Sequence, residues 1–214
     1  MNITIFGASS GTGKILAEKC LAAGHAVTAL VRDPARLESH ARCRVIVGDA
    51  RDAGPVAEAI RGADAVFSTL GAKNPFEKSD LLARAAPHIL AAMQANGVRR
   101  LIVLGAGGWQ PGATARMGFL RRALLSFGAK VVLRYPIQAQ RAQEAAILPS
   151  PLDWTIVAPP RLLNSAPRGL EKVRMDTEAM LAHATRISRA DVAAVMLRAL
   201  DAHAWIRQRV YVTW

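Results

Sequence analysis

The segment Gly7-Ala8-Ser9-Ser10-Gly11-Thr12-Gly13 is the part of the chain whose residue types and spacing best suit an anion. A tight turn at a strand exit calls for glycine, and a phosphate can approach backbone closely only where no side chain stands in the way. The helix beyond such a turn offers free N–H groups and the positive end of its dipole. Gly7, Gly11 and Gly13 suit these tasks, and Ser9, Ser10 and Thr12 add hydroxyl donors. The spacing is GxxxGxG, not the GxGxxG of the standard fingerprint, and by letters alone it is a weak signal. Its weight comes from placement, between the apolar run Ile3–Phe6 and a helical pattern over 12–23.

A second position selects among phosphorylated ligands. About 20 residues beyond the glycines, the end of the second strand carries an acid for a ribose 2′-hydroxyl or an arginine for a 2′-phosphate. Here it reads Leu30-Val31-Arg32-Asp33-Pro34-Ala35-Arg36. Arg32 directly follows the strand and Arg36 stands a helical turn later, so two guanidinium groups are available to one phosphate. Asp33 has two available roles, binding a 2′-hydroxyl or capping a helix that starts at Pro34. The arginines favour NADP(H) over NAD(H). Asp49-Ala50 after the third strand then falls near the adenine, and Thr69-Leu70-Gly71-Ala72 after the fourth near the pyrophosphate and ribose; ordinary loop chemistry accounts for these residues equally well.

The elements that must position these groups follow from periodicity. Short β-branched runs alternate with helical patterns up to about residue 104, the signature of parallel strands joined by crossover helices. Strands are expected at Ile3–Phe6, Ala26–Val31, Arg44–Val47, Ala65–Ser68, Leu101–Leu104, Trp154–Val157 and Arg209–Thr213. Helices are expected near 12–23, 53–61, 79–96, 116–127, 137–148 and 189–202, the last capped by Ser188. The segment 161–186 shows no clear pattern. The fold class implied is α/β: a Rossmann-type, doubly wound, mainly parallel sheet of about seven strands with helices on both faces. It forms one domain over 1–214, with residues of about 105–125 and 159–187 as substrate-side loops.

Composition narrows the partners. The 214 residues carry a formal charge of +12, from 28 basic against 16 acidic residues. Such a field attracts phosphorylated ligands, nucleic acid or acidic partners. The arginines are scattered, without an aromatic-interleaved stripe, which argues against nucleic-acid binding. No apolar run reaches the roughly 18 residues of a membrane span, and the chain enters Ile3–Phe6 at once, so a soluble cytoplasmic protein is expected, as a monomer or small homo-oligomer. The two cysteines, Cys20 and Cys43, lack metal-ligand spacing, and no metal site is expected.

Over nearly its whole length the chain resembles the atypical short-chain dehydrogenase/reductase group that includes NADPH-dependent flavin/biliverdin reductases and NmrA-like NAD(P)-binding proteins. The resemblance rests on the Gly7–Gly13 turn, Leu30–Asp33, Val47-Gly48-Asp49, Ala91–Val98, Leu152–Pro160 and Ile187–Ala193. It implies an NAD(P)H-dependent oxidoreductase. The group's turn usually has glycine where this chain has Ser10. The wider family's Tyr-x-x-x-Lys pair is missing, since Ala139 stands four residues after Tyr135 and Tyr211 is near the C-terminus. The Ser after the fifth strand and the His after Pro-Pro in flavin reductases correspond here to Ala106 and Arg161. With no acid/base group assigned, the resemblance points to hydride transfer from NADPH to an aromatic, flavin-like or quinone acceptor, which can take its proton from solvent. Ala106 then borders the cofactor. Arg161 is available as an anchor for an anionic substrate group, or as a surface or cofactor-phosphate cation. Trp109 is available for stacking on a planar substrate or for loop packing. Glu144 matches a Glu of NmrA-like relatives, although an exposed helix charge is the simpler account. Two other functions stay open: a non-catalytic NAD(P)-sensing regulator, and an epimerase of nucleotide-linked substrates.

Overall fold

A computed structural model describes residues 1–9, 11–71, 76, 78–107, 134–181 and 184–214. Ser10, Ala72, Trp109 and the helix expected near 116–127 lie outside the described residues. The first half alternates strand and helix except between the second and third strands: β1 (Asn2–Phe6), α1 (Gly11–Ala22), β2 (Ala26–Val31), β3 (Cys43–Val47), α2 (Ala53–Ile60), β4 (Ala65–Ser68), α3 (Leu81–Ala95) and β5 (Arg100–Leu104). Then come α4 (Arg134–Ile147), β6 (Asp153–Ala158), β7 (Arg161–Leu163), β8 (Arg174–Asp176), β9 (Arg186–Ser188), α5 (Arg189–Arg198) and β10 (Gln208–Thr213).

Eight strands form one sheet in the order β3-β2-β1-β4-β5-β6-β10-β8, all parallel except the β8 edge. β1 is flanked by β2 and by β4, so the chain reverses its direction of travel across the sheet between β1 and β4. A crevice opens at the carboxyl ends of strands where such a reversal occurs. Alternate residues of each strand face opposite layers. Ile3, Ile5, Val27, Ala29 and Phe67 meet Leu16, Ala17 and Cys20 of α1 and Val192, Val195 and Met196 of α5. Phe6, Leu30, Val66, Leu101 and Ile156 meet Val56, Ile60, Ala85, Ile89, Met93 and Ile147 from α2, α3 and α4.

Two expectations are corrected. The helix expected from Pro34 is one 3-10 turn, Pro34–Arg36, closed by Leu37 N–H donating to Pro34 O at 3.1 Å. Of the residues from 37 to 42, only Leu37 is a large apolar residue that could anchor a helix to the sheet. Val45 and Val47 of the β3 edge are consequently left 38% and 61% exposed. The segment 161–186 is not patternless: it holds β7 and β8, and β7 pairs in parallel with β9 as a separate two-stranded ladder.

Asp191, 1% exposed, fastens this C-terminal region. It accepts from Arg168 N–H at 2.9 Å, Gly169 N–H at 3.0 Å, Ser188 Oγ–H at 2.8 Å and Trp214 Nε1–H at 2.9 Å. Burial works against its charge, but the hydrogen bonds outweigh burial and hold the carboxyl below its ordinary range. The expected Ser188 cap is present, with Oγ accepting from Asp191 N–H at 3.0 Å. Replacing Asp191 with Ala strands two backbone N–H groups and an indole N–H. The expected loss is about 3 kcal/mol or more, read as a lower urea midpoint with unchanged slope.

Candidate functional site

The carboxyl ends of β1, β2, β3 and β4 enclose a cleft of about 350 Å³ lined by Gly7, Ser9, Leu30, Val31, Arg32, Asp33, Arg36, Gly48, Asp49, Ala50, Thr69, Leu70, Gly71 and Leu81. Eight of the residues expected to form a site are therefore side by side: Gly7, Ser9, Arg32, Arg36, Asp49, Ala50, Leu70 and Gly71.

The turn entering α1 has no room for side chains on its inner side. A Cβ at Gly13 would lie 2.1 Å from Gly7 O and 2.4 Å from Thr69 Oγ1. Gly7 has φ of +90°, and a Cβ there would lie 2.7 Å from the same hydroxyl. Thr69 is itself fixed, donating to Phe6 O through Oγ1 at 3.0 Å and through N–H at 2.9 Å. Glycine at 7 and 13 thus lets the turn sit on the end of β4 while the first backbone N–H groups of α1 stay open. Thr12 Oγ1, in a residue 3% exposed, has no hydrogen-bond partner among the described residues. A buried hydroxyl left in this state beside a helix entrance fits a phosphate oxygen.

At the end of β2, Asp33 is occupied as a cap. Its Oδ1 accepts from Ala35 N–H at 3.1 Å, and Oδ2 lies 3.4 Å from Arg36 Nε. Arg32 is exposed and makes no hydrogen bond or ion pair among the described residues. At the end of β3, Asp49 accepts from Arg51 N–H at 2.9 Å, and its two oxygens take Arg51 Nε and Nη2 at 3.1 and 2.8 Å. The Arg51 side-chain bonds, helped by the charge of Arg32, hold the Asp49 carboxyl at about 2 although burial opposes this.

Other expected residues stand apart from the cleft. Ala106 follows β5, where Gly105 and Gly107 N–H groups donate to Val157 O and Pro159 O, both at 2.8 Å, locking this loop onto the end of β6. Arg161 is exposed on β7. Glu144 is no exposed helix charge: it is 3% exposed and accepts from Arg209 Nη2 of β10. A Cβ at Gly105 would lie 3.9 Å from its Oε1, so this buried pair underlies the β5 exit. Sequence reasoning placed Thr69 beside the cofactor but passed over Arg51. Thr69 directly follows the fourth strand, and the Asp49-x-Arg51 spacing suits a local ion pair.

This cleft at the sheet's reversal, beside a glycine turn and an arginine pair, is that of a dinucleotide-binding Rossmann protein. The chain matches the profile of the NAD(P)H-binding family over residues 7–203 and belongs to that family, an atypical short-chain dehydrogenase/reductase group. Solved structures share the fold. A short-chain dehydrogenase/reductase from Veillonella parvula DSM 2008, ethylated, superimposes with a TM-score of 0.80 at 21% identity, covering 99% of this chain and 93% of that one. The wide-type short-chain dehydrogenase/reductase of the same organism, solved in complex with NADP, gives 0.78 at 22%, covering 100% and 94%. ChuY, an anaerobilin reductase from Escherichia coli O157:H7, gives 0.78 at 24%, covering 100% and 97%. Among the described residues no helix is long and apolar enough to cross a membrane, and no cluster of His, Cys, Asp and Glu could hold a metal ion.

Two measurements test the site. Gly13→Ala should lower the melting temperature and abolish dinucleotide binding, because the new methyl must displace backbone at Gly7. The depressed Asp49 carboxyl contributes stability that is complete above its unfolded value near 4 and is lost as pH falls toward 2. From pH 5 to pH 2, unfolding stability should therefore fall by about 1–2 kcal/mol more for the wild type than for Asp49→Asn, in denaturant titrations, after allowance for the partial exposure of the pair.

Proposed function

We propose that this protein is an NADPH-dependent reductase that delivers hydride to a planar, conjugated acceptor of the flavin, quinone or tetrapyrrole kind. The observation that carries the cofactor half is the end of β2. Asp33 is turned to capping, while Arg32 makes no hydrogen bond or ion pair among the described residues and faces the same cleft as the glycine turn. An acid committed elsewhere beside a free guanidinium favours a 2′-phosphate over a 2′-hydroxyl. Gly7, Ser9, Ser10, Gly11, Thr12 and Gly13 would hold the pyrophosphate, Arg32 and Arg36 the 2′-phosphate, and Asp49 and Ala50 the adenine side. Leu70, Gly71 and Ala106 would border the nicotinamide half.

When bound, the reduced nicotinamide supplies the hydride. The chain's own contribution is alignment and exclusion of water. Neither Tyr135 nor Tyr211 lines the cleft, so no side chain is assigned as proton donor. An acceptor that spreads the incoming charge over a ring system and is protonated by solvent suits such a site. The likeness to a protein described as an anaerobilin reductase supports a conjugated acceptor. Arg161 and Trp109 are proposed to meet it, one through charge and one through stacking. A regulator that senses NADP(H) without turnover is the second reading, favoured by the same absence of tyrosine from the cleft.

Titration with NADPH and NADH, followed by nicotinamide oxidation with flavins, quinones and linear tetrapyrroles, tests the reading. The expected result is tighter NADPH binding with turnover on at least one acceptor, and in Arg32→Ala an NADPH affinity about 10–100-fold weaker with NADH unchanged. Binding without turnover on any acceptor selects the regulator. Equal losses for both nucleotides in Arg32→Ala would refute the assignment of the 2′-phosphate.

A further inference from the structure

The glycine turn has a neighbour outside the α1 entrance. Arg189 opens α5, the helix packed beside α1, and its side chain runs along the turn: a Cβ at Gly11 would meet Arg189 Nε at 3.4 Å and Cδ at 3.8 Å. Gly11 is exposed at this point with φ of +54°, so the turn presents bare backbone next to a guanidinium. Arg189 Nη1 donates to Asn164 Oδ1 at 2.6 Å, and Arg189 has no carboxylate partner among the described residues. A neutral amide fixes the guanidinium without cancelling its charge, and the guanidinium's other N–H donors stay available. Adjacent to Gly11, Thr12 Oγ1 is buried without a hydrogen-bond partner among the described residues. An arginine held by an amide, an open helix entrance and an unsatisfied hydroxyl together describe a place built for a diphosphate.

We propose that Arg189 is a ligand of the dinucleotide pyrophosphate, and that Asn164 is the residue that positions it. This rests on the dinucleotide reading and adds a third basic contact, distinct in what it recognises from Arg32 and Arg36. Those two line the cleft beyond the end of β2, where they would discriminate NADPH from NADH. Arg189 acts on the diphosphate both cofactors share, and so sets affinity without selectivity. Because Asn164 directly follows β7, the pair also ties the segment that carries Arg161 to the cofactor turn.

The test is calorimetric titration of the purified chain with NADPH and with NADH. Arg189→Ala should weaken both by a similar factor, about tenfold or more, whereas Arg32→Ala weakens NADPH alone. Arg189→Lys should recover part of the loss. Asn164→Ala should weaken both nucleotides less. Asn164→Asp should weaken both more than Asn164→Ala, because a carboxylate keeps the contact but neutralises the guanidinium, whereas a merely structural contact would tolerate it. If Arg189→Ala melts well below the wild type, Arg189→Gln, which keeps the stem and removes the charge, decides the question by the same pattern. Wild-type affinity for both nucleotides in the folded neutral variant, or a loss confined to NADPH, overturns the proposal. Failure of the wild type to bind either nucleotide instead overturns the dinucleotide reading, and this assignment with it.

Discussion

The carboxyl edge of this sheet is organised around a contact too close to admit a methyl group. Gly13 and Gly7 rest on Thr69, whose hydroxyl and amide both bond the last carbonyl of β1. That arrangement fixes the start of α1 against the seam between β1 and β4, the place where the strand order reverses. From there the helix axis, its open N–H groups and the Thr12 hydroxyl all take their position. Arg32, Asp49 and Leu70 follow β2, β3 and β4, of which β2 and β4 pair with β1 and β3 pairs with β2, so the cleft is a property of the sheet and needs no long loop to close it.

Charge is distributed unevenly over this frame. The excess of 12 positive charges is large for a chain of this length, but its distribution matters more than its sum. At the cleft Arg51 is spent on Asp49 and Arg36 lies within ion-pair range of Asp33, whereas Arg32 has no acidic partner within that range among the described residues. Away from the cleft, Lys14–Glu38 and Arg44–Glu58 are exposed pairs, worth little in stability. Glu144–Arg209 is of another kind. With side chains 4% and 20% exposed, it joins α4 to β10 beneath the β5 exit, where loss of either partner would leave a buried charge.

The fold was legible because its strands are buried on both faces, and nearly continuous apolar runs such as Ala65–Ser68 leave little else to be read. The turn was legible for a similar reason, since glycine spacing and the flanking elements make one statement. Two kinds of feature were not. The 3-10 turn after Asp33 begins with the same Asp-Pro signal that begins a helix, and only the poverty of apolar residues beyond it decides the outcome. Glu144 is a charge in a helical pattern, and its burial depends on an arginine 65 residues away that no local pattern pairs with it. Arg189 lay inside a segment already singled out by resemblance, yet its nearness to Gly11 exists only once α5 is packed beside α1.

That last packing has a consequence for how the chain acquires its structure. The apolar side of α1, with Leu16 and Cys20, is covered by Val192, Val195 and Met196, from the opposite end of the sequence. During synthesis the β1–α1–β2 unit therefore emerges with one hydrophobic flank uncovered, and it stays so until α5 has left the ribosome. Loop closure over such a span is slow, so nucleation falls to the shorter-range pairing on the α2–α3 side of the sheet. The half that carries the glycine turn is then among the last to become rigid, and a nascent or truncated chain lacking α5 exposes a surface for chaperones to recognise.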